Sequence, residues 1–72
     1  MESCEELKKA MHRLPESIQI AETDGFFFVE AKGDSQYREV WNQLFLALDF
    51  DHVLRVKSQK IGDTFGMVIP KS

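Results

Sequence analysis

The chain is predicted to be an α+β protein, a two-layer sandwich with two helices on one face of a four-stranded antiparallel sheet. Two apolar repeats at helical spacing point to the helices, one early and one central. After each repeat come two short β-type runs joined by a turn signal, which reads as a hairpin. The order helix-strand-strand-helix-strand-strand, in so short a chain, leaves one sheet with both helices packed on a shared side.

The first helix spans about residues 4 to 14. Ser3-Cys4-Glu5-Glu6 has the form of a capping box, in which the Ser3 hydroxyl and the Glu6 carboxylate satisfy each other's backbone N–H groups. Cys4, Leu7, Met11 and Leu14 then recur on one helical face beside Ala10, and Pro15 stops the run. Ser17-Ile18-Gln19-Ile20-Ala21 alternates like a half-buried strand. Asp24-Gly25 is a hairpin turn, and Phe26-Phe27-Phe28-Val29-Glu30-Ala31 is the return strand. Gly33-Asp34-Ser35 ends that strand, with Asp34 or Ser35 able to cap the next helix.

Tyr37, Val40, Trp41, Leu44, Phe45 and Leu48 lie at i, i+3, i+4 spacing, the strongest pattern in the chain. They predict a helix over 35–49, with Trp41 and Phe45 in the core. Val53-Leu54-Arg55-Val56-Lys57-Ser58 reads as a third strand with alternating charge. Lys60-Ile61-Gly62-Asp63 is a turn, and Phe65-Gly66-Met67-Val68-Ile69 is the last strand, closed by Pro70. Each half of the chain is thus one helix followed by one hairpin.

Right-handed crossovers place each helix between strands that are parallel but not adjacent. That layout is a circular permutation of the ferredoxin-like plait, entered at its first helix. On the covered face it puts Ile18, Ile20, Phe27, Val29, Leu54, Val56, Phe65, Met67 and Ile69. The same alternation sends Phe26 and Phe28 to the open face, with Gln19, Ala21, Glu30, Arg55, Lys57, Gly66 and Val68. Fully burying one phenylalanine is worth about 1.5–3 kcal/mol relative to exposure. Two of them on an uncovered face therefore mark an interaction surface. The candidate partner-binding residues are Phe26, Phe28, Arg55, Lys57 and Val68.

Asp24-Gly25-Phe26-Phe27-Phe28-Val29-Glu30-Ala31 resembles the central-strand signature of RNA-recognition-motif domains, K/R-G-F/Y-G/A-F-V-x-F/Y. The order of elements around it is also similar, from the first helix through the strand after the second. The family's first strand is absent from its usual place, which only the C-terminal strand could fill. Asp24, Phe27 and Ala31 stand where the motif has a basic residue, a small residue and an aromatic. The resemblance implies that Phe26 and Phe28 stack on the bases of a single strand. Arg55 and Lys57 would then neutralise phosphate.

Composition narrows the classes further. The 72 residues suit one domain, 1–72, with no linker and no repeat of low complexity. One cysteine, Cys4, excludes an internal disulfide or a cysteine-rich zinc site, and it is read as a buried structural thiol. No apolar run has the length of a membrane span, and the acidic N-terminus lacks a signal-peptide core, so a cytoplasmic protein is expected. Net charge is −3, unlike that of a general duplex-DNA binder. The charge is uneven, since 11 acids and 5 bases before residue 52 give −6, and the remaining four bases against Asp63 give +3.

No catalytic constellation is visible, and a non-enzymatic chain without cofactors is expected. Asp49-Phe50-Asp51-His52 concentrates metal-ligating side chains, but acids at a helix end are ordinarily solvated, and no metal site is expected. His12 follows Met11 on the helix and should face water. The four glycines are scattered in turns and strands and form no phosphate loop. Such a chain is expected to be a small protein-interaction module, whether dimer, inhibitor or adaptor, that uses the open sheet face. A single-stranded RNA-binding module is the alternative.

Overall fold

A computed structural model describes residues 2–72, with side chains from Glu5 onward. The proposed cap at Ser3 and the packing of Cys4 lie outside the described side chains. The elements are α1 (Glu2–His12), β1 (Gln19–Glu22), β2 (Phe26–Lys32), α2 (Gly33–Ala47), α3 (Phe50–Val53), β3 (Lys57–Ile61) and β4 (Thr64–Pro70). The strands form one sheet in the order β1-β2-β4-β3, and every neighbouring pair is antiparallel. β2 and β3 run parallel with β4 between them and α2 connecting them, as the permuted plait requires.

The core lies between the sheet and the two long helices. Leu7, Ala10, Met11 and Leu14 from the α1 region meet Val40, Leu44 and Leu48 from α2 and its C-cap. Phe27, Val29 and Ala31 of β2 and Phe65, Met67 and Ile69 of β4 close the layer from below. This is the period-2 alternation of a sheet covered on one side. The strands break the expected pattern at two apolar positions of the covered face. Ile20 stands exposed on edge strand β1 and Leu54 is exposed outside the sheet, while Ile18 and Val56 sit just before β1 and β3 and still pack in or against the core.

The two hairpins close differently. In the first, Phe26 N–H donates to Thr23 Oγ1 and Thr23 N–H donates to Phe26 O, bracketing Asp24-Gly25. In the second, Ile61 pairs with Thr64 around Gly62-Asp63. Gly62 has φ of 62° there, a conformation that favours glycine at the first position of a two-residue loop.

Three expectations need correction. α2 starts two residues early, at Gly33 (φ 81°), and neither Asp34 nor Ser35 caps it. Instead the Gln36 side chain reaches back to accept from Lys32 N–H at 2.7 Å, and Gly33 N–H donates to Asp63 O at 2.8 Å. The expected strand over 53–58 is largely helix and turn. Asp49 caps a short α3 by accepting from His52 N–H at 2.8 Å, and turn bonds from Arg55 and Val56 follow. β3 is displaced to 57–61 and includes Lys60 and Ile61, which were expected in the turn.

The third correction concerns Phe45. Val40 and Leu44 lie at the centre of the buried stripe, and Trp41 and Phe45 lie on its flank. With β3 starting four residues late, little covers that flank. Trp41 is half-buried and Phe45 is 62% exposed, its ring stacked on Trp41 at 5.4 Å. Neither is a fully enclosed core residue.

Candidate functional site on the open sheet face

The site begins with the register of four strands. Residues paired across a sheet share a face, so Ala21, Phe28, Val68 and Lys57 form one row across all the strands on the side away from the helices. Gln19, Glu30, Gly66 and Gln59 form the next row. Phe26 pairs with Pro70 at one end of the face, and Lys32, Thr64 and Ile61 line up at the other.

Phe26, Phe28, Lys57 and Val68 are therefore brought together as expected. Phe26 is 36% exposed, while Phe28 and Val68 are half-buried. The Phe28 ring leans over Gly66, where a Cβ would stand 3.4 Å from Phe28 Cζ. Gly66 thus forms the floor of a shallow depression walled by Phe28, Val68, Lys57 and Ile61. A ring laid on backbone covers polar groups without hydrogen bonding them, which adds apolar surface at the sheet centre beside the polar row of Gln19, Glu30 and Gln59.

Arg55 is not part of this surface. It sits in the turn between α3 and β3, and its guanidinium donates to the Asp51 carbonyl at 3.4 Å. The strand charges on the face are Lys57, Glu30 and Lys32, the acid in a row between those of the two bases, and Glu16 borders the face beside Gln19, Ala21 and Phe28. The missed member of the site is Ile61, 70% exposed, which the sequence reading placed in a turn.

Asp49, Asp51 and His52 do not converge. His52 is buried and directs Nε2 at the Pro70 carbonyl, which only accepts, so Nε2 carries the proton. That bond ties α3 to the end of β4. Asp49 is engaged as a helix cap. Among the described residues no three histidine, cysteine or carboxylate side chains gather closely enough to hold a metal ion. His12 is exposed, as expected.

The C-terminal end of β4 is fastened to the first hairpin. Lys71 N–H donates to Gly25 O at 2.9 Å, and its ammonium sits 2.6 Å from Glu22 and 5.2 Å from the centre of the Phe27 ring. The hydrogen bond from Lys71 holds the Glu22 carboxyl below the usual carboxylate range. Elsewhere Phe45 and Leu46 near the end of α2, with Phe50 and Leu54 around α3, are exposed apolar side chains on the helical layer. No helix among the described residues is long and apolar enough to cross a membrane.

No protein-family model, curated protein or solved structure matches the chain.

Proposed function

We propose that the chain is a small non-enzymatic protein-interaction module that binds through the open face of its sheet. The observation that carries this reading is the outward placement of Phe26 and Phe28, with Val68 beside them, on the two central strands. A shallow apolar centre with few charges suits a protein surface, where aromatic residues anchor contacts and charges are depleted. A second copy of the chain is the simplest occupant. Two such sheets stack about 10 Å apart, and the interspersed Lys57, Glu30 and Lys32 avoid a field of one sign.

The outward rings of Phe26 and Phe28 also support a second reading, stacking on single-stranded RNA. It is the weaker one. With Arg55 turned to Asp51, the face offers two lysines and an acid to a phosphate backbone. β4, alongside, presents Gly66 and Val68 rather than a third ring.

The test is the solution mass of wild type, Phe26→Ser/Phe28→Ser and Phe45→Ser/Phe50→Ser, each with and without a random single-stranded oligonucleotide. Association lost only in the first variant supports the protein-facing reading. Association lost only in the second moves the interface to the helical layer. Low-salt oligonucleotide binding that Phe28→Ala weakens, with stacking worth about 1–3 kcal/mol per base, supports the RNA reading instead.

A further inference from the structure

The two outer strands of the sheet are unlike in charge. Each has one side with no strand neighbour, so each presents unpaired backbone groups along that side. At β1 the nearest charge is compensated, since Glu22 is held by Lys71. At β3 it is not. Lys57 and Lys60 are exposed, and among the described residues neither has a carboxylate within ion-pairing distance.

The two lysines also point to opposite faces. Lys57 lies on the open face opposite Val68, and Lys60 lies on the helix side opposite Phe65, its ammonium 5.4 Å from the centre of that ring. A strand laid along β3 would meet a cation on either of its faces. In an antiparallel pair every second residue turns its N–H and C=O away from its neighbour, so alternate residues of this five-residue strand keep free donors and acceptors on the outer side. Ile61, 70% exposed, adds an apolar contact at the turn end.

Lysines on an edge also discourage self-pairing. A second copy presenting its own β3 brings lysines against lysines. The strand that turns both cations to advantage is extended and acidic. We infer that β3 is a docking edge for an acidic, extended protein segment, which adds to the sheet as a fifth strand beside β3. This site shares Lys57 and Ile61 with the open face but does not need Phe26 or Phe28, because it uses the backbone groups of the edge and the two lysines. It also gives a role to the positive C-terminal quarter of a chain that is negative overall.

The probe is the capped hexapeptide Val-Glu-Val-Thr-Asp-Val, whose two acids, three residues apart, lie on opposite faces of a strand as Lys57 and Lys60 do, titrated into the 72-residue chain and followed by amide NMR. Two comparison peptides replace its acids with lysine or its central valine with proline. The acidic peptide should bind about tenfold more tightly than either at low salt, because one comparison reverses the charge and the other removes a backbone donor. Its shifts should centre on the amides of Ser58, Gln59 and Lys60. Lys57→Glu/Lys60→Glu changes two exposed side chains and should reverse the preference to the lysine peptide. Phe26→Ser/Phe28→Ser should leave it unchanged, which separates this site from the open face. Equal affinity for acidic and lysine peptides overturns the inference. So does no shift with the acidic peptide, shifts centred on Phe26 and Phe28, or displacement of the bound peptide by a single-stranded oligonucleotide of equal charge.

Discussion

Phe26 and Phe27 are neighbours of the same residue type with opposite surroundings. Phe27 is 4% exposed beneath the helices, and Phe26 is 36% exposed on the other side of the same strand. The pleat alone separates them. One ring is part of what holds the layers together, and the other is spare apolar surface that stability does not account for. The sheet's two faces thus answer to different demands, and substitutions should separate them.

The largest effect belongs to the covered face. Phe27→Ala removes a ring from a closed core and should cost about 3–5 kcal/mol. That is much of the stability of a domain this size, so thermal melting should show a collapse of the transition temperature. If Phe27→Ala melts close to wild type, the two faces are not distinct.

Next comes the flank of α2. Trp41 is half-buried, stacked on Phe45 and edge-on to Tyr37, whose ring lies 3.9 Å from that of Phe65. Trp41→Ala should cost about 2 kcal/mol by urea unfolding, short of the full-burial value. Phe45→Ala, out on the solvent side, should change stability by no more than about 0.5 kcal/mol. A Phe45 effect equal to that of Trp41 would mean that something covers the flank.

The open face should be nearly silent in stability. Phe26→Ser/Phe28→Ser should keep the circular dichroism of wild type and lose about 1 kcal/mol or less, since neither ring is enclosed. The smallest change is expected from Lys71→Ala at the sheet end. Glu22 gains from Lys71 a lowered carboxyl pKa, so the pair's contribution is present above the unfolded carboxylate value and fades as pH falls through the folded one. In Lys71→Ala the Glu22 carboxyl should titrate in the ordinary range by NMR, and the acid limb of the stability profile should flatten slightly.

Much of the architecture was legible because it rests on periodicity. Alternation in β2 and β4 decides which side each residue faces, and the helical repeat of α2 needs no knowledge of its partners. The first hairpin was legible from Asp24-Gly25 between two β-type runs. The region from residue 49 to 56 was not, because Val53-Leu54-Arg55-Val56 fits a strand while Phe50, Val53 and Leu54 fit a helical turn equally well. The deciding signal was local, the ability of Asp49 to accept from the N–H of His52. Misplacing that turn carried Arg55 onto the sheet face and hid the exposure of Phe45. Edge polarity was half legible, since the positive C-terminal quarter stands out in the sequence. Which lysines lie on an edge, and on which of its faces, depends on a register that sequence alone does not fix.

The apolar centre of the open face is proposed as the surface on which two copies of the chain meet. Light scattering of wild type and Phe26→Ser/Phe28→Ser, from low concentration up to about 1 mM, tests it most directly, since that range reaches even weak complexes. The wild-type mass should rise from 8.3 kDa toward twice that value, with the folded variant remaining at 8.3 kDa throughout. A wild type that stays at 8.3 kDa across the range, or one that associates and keeps associating after both rings are removed, would contradict it.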